Sequence, residues 1–365
     1  MTEPSLPRKT RLGYTVPVTR AKKSPAAPAK EPAKKPAKVP TLADIASTVG
    51  VTKITVSRAF NTPGQLSPDT LAKIRATAKK LGYTPNLLAG SLSSARSRLI
   101  VALVPSISGA MFTSTMQQVA AHLQDQGYQL LIGQAGYDEA SEEALLGAVI
   151  GRRPDGIILT GIVHSEASRR QLRAARIPVV ETWDLTPKPI DMLVGFSHPA
   201  IGKAAAEHLY ERGCRRAAVI SPDDRRARLR AAAFVARFRQ LCGWRAPVLE
   251  AQAPTPMGDG RSCLAELLHR HADIDGVFCG SDNLALGAAI EAKARGIAVP
   301  QTLKLIGYGD QSYGKDADPP LTSLRIEGGE IGRLAAAMLV ARATGQPVAQ
   351  RIVDVGFTLV QRGSS

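Results

Sequence analysis

The chain has 365 residues, 44% of them hydrophobic, and its 47 Lys and Arg outnumber 31 Asp and Glu to give a net charge of +16. That length supports two or three domains with a sizeable core. No run approaches the roughly eighteen apolar residues of a spanning helix, and the Pro/Ala/Lys-rich start offers no signal-peptide core, so a cytoplasmic protein without membrane partners is expected. The four cysteines show neither CxxC spacing nor metal-like histidine partners, which argues against disulfides and zinc, and no cofactor is expected.

The positive charge is concentrated at the start. Residues 1–40 hold ten Lys/Arg and two Glu, residues 41–98 eight Lys/Arg and two Asp, leaving only about +2 for the remainder. A basic module on a near-neutral body is the electrostatic footprint of phosphate binding. Residues 1–40 are too poor in apolar side chains to order themselves and read as a disordered basic tail. It is either an arm adding nonspecific DNA affinity or a solubilising segment.

Residues 41–85 read as a helical head. In TLADIASTVG, Leu42, Ile45, Ala46 and Val49 share one helical face, and Thr41 with Asp44 forms a capping box. Gly50 permits a sharp turn, and Thr52 caps a second helix with Val56, Ala59 and Phe60 inward. Lys53, Ile54, Thr55, Ser57 and Arg58 are left outside. Such a pair is a helix-turn-helix, whose second helix suits the major groove of double-stranded DNA. A third helix starts at Ser67-Pro68-Asp69, carries Leu71, Ile74, Ala78 and Leu81 inward, and stops at Gly82. Residues 86–98 follow, short and rich in Ser and Gly. By their residues alone they read as a linker, with Leu88, Ala89 and Leu92 offering the alternative of a brief helix wedged into a minor groove.

From residue 99 to 365, short β-rich runs alternate with helix-length segments. The runs are LIVALV, YQLLI, GIILT, PVVET, AAVIS, GVFCG and LKLIGYG; the clearest helices lie near 112–126, 141–151, 201–213, 227–242 and 283–296. This alternation predicts α/β lobes with parallel sheets, two of them with a cleft between. Ligands bind beyond the carboxyl ends of such strands, which singles out Ser106, Trp183, Asp184, Arg225 to Arg230, Ser281 and Asp282. No G-x-S-x-G, Walker loop, HExxH or dinucleotide fingerprint is present, so no catalytic residue is assigned. The six histidines read as surface or structural residues. The cleft candidates read as recognition groups instead: Arg for a carboxylate, Asp for hydroxyls, Trp for the flat face of a sugar.

Together these parts resemble the lactose-repressor family of bacterial transcription regulators over about residues 41–363. The matching stretches are TLADIASTVGVTKITVSRAFN, SPDTLAKIRATAKKLGYTPNLLAGSL, SDNLALGAAIEAKARGIAVPQTLKLIGYGD, DPPLTSLRI and EIGRLAAAML. The resemblance implies an all-α helix-turn-helix head, a hinge helix, and a periplasmic-binding-protein-like core whose chain crosses between lobes near 197 and 323. It also implies a homodimer on a palindromic operator and a small-molecule effector. Lys53, Ile54 and Thr55 match the start of the base-reading helix, and Ser57, Arg58 and Asn61 match further contacts. Thr41, Leu42 and Thr52 complete the DNA-facing set in the head, and Asn86, Ala89 and Leu92 match the hinge helix, with Leu92 at the wedge. Ile54 stands where a polar residue is commoner, so a thymine methyl is its expected partner.

In the core, the resemblance places Ser106, Phe112, Trp183, Arg230 and Asp282 at the effector cleft. Ala233 replaces a glycine usual in the motif around Arg230. RRPDGIILTG and ETWDLTPKPIDMLVGFSHPAIG look most like the gluconate-operon branch, which implies gluconate, a ketogluconate or a phosphorylated relative; a neutral sugar is the alternative. The cluster Arg225, Arg226, Arg228 and Arg230 agrees with an anion. The expected protein is a regulator, in the first instance a repressor, with the sign of regulation open. The short segment after GFTLVQ lacks a leucine heptad, so a C-terminal coiled coil is not expected. Two further classes are a transport solute-binding protein and a nucleoid-associated protein acting through the basic tail. The first lacks a leader, and a footprint on a defined palindrome discriminates the second.

Overall fold

The computed structural model describes residues 39–84, 96–107, 110–136 and 138–365. The chain divides into two compact units, residues 1–85 and 86–365. Most of the basic tail (1–38) and residues 85–95, with hinge candidates Asn86, Ala89 and Leu92, lie outside the described residues.

The first unit holds α1 (Leu42–Val49), α2 (Lys53–Asn61) and α3 (Pro68–Leu81). At the start of α1 the Asp44 carboxylate accepts from the Thr41 N–H at 2.8 Å and the Thr41 hydroxyl at 2.7 Å. Gly50 ends the helix at φ 77°, a left-handed conformation that glycine adopts without steric cost. Ile45, Ala46, Val56, Ala59, Ile74 and Ala78 form the buried centre. Leu81 departs from the predicted inward face and is 36% exposed. It lies in the last turn, and the chain reverses at Gly82 so that Tyr83 packs on the core instead, its ring 5.8 Å from Phe60.

The second unit contains two six-stranded sheets. In the first, β1 (Leu99–Val104), β2 (Gln129–Gln134), β3 (Gly156–Thr160), β4 (Val179–Thr182), β5 (Met192–Gly195) and β11 (Ile352–Asp354) run parallel in the order β11-β5-β4-β3-β1-β2. In the second, β6 (Ala217–Pro222), β7 (Val248–Ala251), β8 (Gly276–Cys279), β9 (Lys304–Tyr308), β10 (Thr322–Arg325) and β12 (Thr358–Val360) take the order β12-β10-β9-β8-β6-β7. Only β12 is antiparallel there. Central strands are buried along nearly their whole length, as parallel strands covered on both faces must be.

The helices are α4 (Ala110–Asp125), α5 (Glu139–Ile150), α6 (Glu166–Ala175), α7 (His198–Glu211), α8 (Arg225–Cys242), α9 (Met257–Arg270), α10 (Asp282–Ala294) and α11 (Gly328–Ala343). α7 packs on α8, α9 on α10, and α11 returns to the first lobe to pack on α4. The chain crosses between lobes at residues 195–198 and 325–328, and a third time at 354–358, a crossing that the sequence patterns did not reveal. Ala233 falls in the middle of α8, where alanine is the best helix former, so no loop depends on the missing glycine. The four cysteines are free thiols. No helix of the described residues is long and apolar enough to cross a membrane.

Candidate nucleic-acid interface and ligand cavity

In the head, Thr52 starts α2 by accepting the Thr55 N–H at 3.2 Å, and the two hydroxyls meet at 2.9 Å. Lys53, Arg58 and Asn61 are exposed, and Thr55 and Ser57 are half-buried. Asn61 donates to the Ser57 hydroxyl at 3.1 Å, which ties the two on one face. Ile54 is 65% exposed beside Lys53. A single exposed aliphatic side chain is ordinary on a protein surface, but at this position it is free to make an apolar contact such as that with a thymine methyl. Leu42 packs against the centre of the head, so what it can offer a phosphate is its backbone N–H in the first turn of α1, beside the exposed Thr41.

In the body, the carboxyl ends of β1, β4, β6, β8 and β9 deliver side chains into a cavity of about 220 Å³ between the lobes. Ser106, Phe112, Trp183, Arg230 and Asp282 all line it, joined by His198, Arg226, Asn283, Tyr308 and Gln311. The amino ends of α8 and α10 also open there, and both favour negative charge.

Arg230 is the central group. It is only 4% exposed and forms no ion pair among the described residues. Its guanidinium lies over the Tyr308 ring at 4.0 Å; Nη1 is 3.1 Å from His198 Nδ1, and Nη2 donates to the Gly280 carbonyl at 3.4 Å. Its Nε, like the indole N–H of Trp183, is buried without a hydrogen-bond partner. A buried donor without an acceptor costs free energy, so a ligand that brings oxygens is rewarded here. Trp183 itself has φ 65°, strained for a non-glycine residue. Phe112 meets its ring edge-on at 5.1 Å and Phe196 at 5.8 Å. It therefore packs and lines the cavity at once.

Asp282 plays a narrower part than the sequence suggested. One carboxylate oxygen accepts from the Ser323 hydroxyl at 2.7 Å and the other from the Gln311 N–H at 2.6 Å. Burial raises its carboxyl, and these two hydrogen bonds only partly counter that. Asp282 thus anchors the Gln311 loop as well as lining the cavity.

The arginine run divides. Arg226 and Arg230 line this cavity, whereas Arg228 makes a two-pronged pair with Glu250 at 2.8 and 2.9 Å and faces out. Arg225 approaches the buried Asp184 at 3.7 Å in an adjoining cavity of about 500 Å³, which also takes Asp184 out of the first set.

His198 was read from the sequence as a surface or structural residue. Instead it is buried on the cavity wall, where burial, then the Arg230 and Arg226 charges, push it down to about 2. The clue lay in β5, a strand that was not separated from the surrounding sequence; had it been recognised, His198 would have fallen just beyond a strand end. His164 and His208 are buried too.

Comparison with known proteins gives two family matches. Residues 41–86 match the model described as bacterial regulatory proteins, lacI family, and residues 206–365 match a periplasmic binding protein-like domain. The HTH-type transcriptional regulator GntR of Pseudomonas aeruginosa is 37% identical over 328 residues, 89% of this chain and 95% of that protein. Its Escherichia coli namesake is 31% identical over 332 residues, 88% of this chain and 98% of the relative. A solved lacI-family regulator from Silicibacter pomeroyi superposes with TM-score 0.84 at 30% identity, covering 89% of this chain and 98% of the other.

Proposed function

The chain belongs to the lacI family of bacterial regulatory proteins and is a DNA-binding transcriptional regulator, and from that premise we propose that it represses sugar-acid utilisation genes under the control of a gluconate-like anion. The observation that carries the effector class is Arg230: a buried guanidinium with no carboxylate partner, facing a cavity whose aromatic walls suit a sugar's flat face. The names of the GntR relatives support the same class.

Ser106, Phe112, Trp183, Arg230 and Asp282 are the proposed effector contacts. Thr41, Leu42, Thr52, Lys53, Ile54, Thr55, Ser57, Arg58 and Asn61 are the proposed DNA contacts in the head. Asn86, Ala89 and Leu92 extend that set into the hinge.

The active form is a homodimer on a palindromic operator. Exposed apolar side chains on one edge strand of each sheet, Leu131 and Ile132 on β2 and Val248 on β7, support a surface for a second copy. A ligand bound between the lobes favours one relative orientation of them, and with it one spacing of the two hinge segments. Operator affinity changes by the ligand's differential affinity for the two states. Calorimetric titration with gluconate, 2-ketogluconate, 5-ketogluconate and 6-phosphogluconate tests the class, with operator binding measured in parallel. Binding of a neutral sugar in preference to all four acids refutes it.

A further inference from the structure

We infer that His198 is a positioning residue for the effector: it ties Arg230 of one lobe to the Trp183 backbone of the other, without neutralising the guanidinium. This rests on the proposed anionic effector and adds the residue that keeps Arg230 available to it.

Elementary hydrogen-bond chemistry fixes the ring. Nε2 lies 3.0 Å from the Trp183 carbonyl, which can only accept, so Nε2 carries the proton. Nδ1 lies 3.1 Å from Arg230 Nη1, which can only donate, so Nδ1 presents its lone pair. One nitrogen protonated and one not is a neutral imidazole in a single tautomer. Phe196 holds that ring edge-on at 4.8 Å, and the left-handed Trp183 backbone fixes the carbonyl it donates to.

The location gives the contact its consequence. His198 opens α7 at the first crossing between the lobes; Trp183 follows β4 in the first lobe, and Arg230 belongs to α8 in the second. Without an acceptor at this point, Arg230 keeps only the Tyr308 face and a long contact to Gly280, and the nearby Asp184 carboxylate attracts it. An Asp184–Arg230 pair would spend the charge inside the protein. A neutral acceptor restrains the guanidinium yet leaves its charge for the ligand, so the preference for an acid over its neutral analogue depends on an uncharged group at position 198.

Asn and Asp have the same shape, and each puts an oxygen where Nδ1 stands; they differ in charge. In the full-length protein His198→Asn is expected to keep gluconate affinity within about tenfold of the unaltered chain. His198→Asp is expected to lose about a hundredfold, the loss of a charged hydrogen-bonding partner. In an Arg230→Met background neither change should add a further loss, because the effect passes through Arg230. Equal losses for Asn and Asp, or losses that add to that of Arg230→Met, overturn the inference.

Nitrogen-15 NMR of histidine-labelled, ligand-free protein reads the ring independently. The Nε2–H neutral form is expected, and the opposite tautomer or a charged ring overturns the inference even if a variant fails to fold. If the unaltered chain binds none of the sugar acids, the proposed effector class falls. His198 is then judged by its tautomer and by a melting-temperature cycle with Arg230→Met, in which strictly additive shifts count against it.

Discussion

Replacing Arg230 by methionine separates what this side chain does for the fold from what it does for the ligand. In the ligand-free protein its gains are a desolvated contact with the Tyr308 face, about 2 kcal/mol, and a charge-assisted bond to His198 of about 2 kcal/mol. Against these stands the cost of burying a guanidinium with no counter-ion, which is also several kcal/mol. The two sides nearly cancel. Arg230→Met is therefore expected to leave the ligand-free melting temperature within about 4 °C of the unaltered protein. Once an acid is bound, the balance changes. Truncating one member of a buried charge pair costs about 2–5 kcal/mol, or about 30-fold to several-thousand-fold in Kd. Calorimetry with gluconate and with its neutral alditol measures the effect, and thermal unfolding without ligand provides the control. A gluconate Kd within threefold of the unaltered chain refutes the reasoning, as does an equal loss for the neutral analogue.

Lys53→Ala is expected to weaken operator binding by about 5- to 150-fold, the range for a base contact, while leaving calorimetric ligand affinity unchanged; an unaltered operator titration removes Lys53 from the DNA face. Gly202→Ala places a Cβ against the carbonyl oxygen of Arg230 where α7 crosses α8. That overpacking is expected to cost about 1–3 kcal/mol, read as a melting temperature lower by several degrees and weaker gluconate binding; equal melting curves count against so close a crossing. His164 is buried between Glu142 at 2.7 Å and Glu181 at 3.4 Å; burial alone would lower it, but the hydrogen bonds and charges of both glutamates outweigh that and raise it to about 9. A raised native value means stability fully present below the unfolded value of about 6.5 and lost as pH climbs through 9, by about 3 kcal/mol at most. Melting curves across that window should show the extra loss in the unaltered protein and not in His164→Gln; parallel slopes exclude it.

Apolar periodicity and capping chemistry are local, and where local rules dominate the sequence was readable. The helices of the head begin at Thr41, Thr52 and Ser67, as their capping residues require, and α1 and α3 end at Gly50 and Gly82. Parallel strands long enough to form apolar runs, such as β1 and β3, were equally plain. What escaped was short or set by distant partners. β5, β7 and β10 have four residues each, and β11 only three. GFTLVQ reads as a strand-like run and contains β12, but its antiparallel pairing with β10 across the sheet has no local signal. Helix starts were read two or three residues late in α4, α5, α7 and α8; in α5 and α8 the first turn is polar and carries no apolar stripe.

The same distinction governs the cavity. Arg230, Trp183 and Asp282 could be nominated because chemistry-bearing residues just beyond strands or in a family motif stand out one at a time. Their division of labour could not, since it depends on which partners each has already taken. Asp282 and Arg230 were nominated together as recognition groups, yet both carboxylate oxygens of Asp282 are engaged by Ser323 and Gln311 while Arg230 forms no ion pair among the described residues. Of the four arginines in the first two turns of α8, Arg228 is matched by Glu250, a residue on a strand that contributes nothing to the cavity lining. An unmatched charge is a property of three-dimensional neighbours. Because lone positive charge is costly to bury and is retained at Arg230 without a counter-ion among the described residues, the proposed ligand would supply the missing carboxylate, and the acid, rather than the sugar, would then be the part that is sensed.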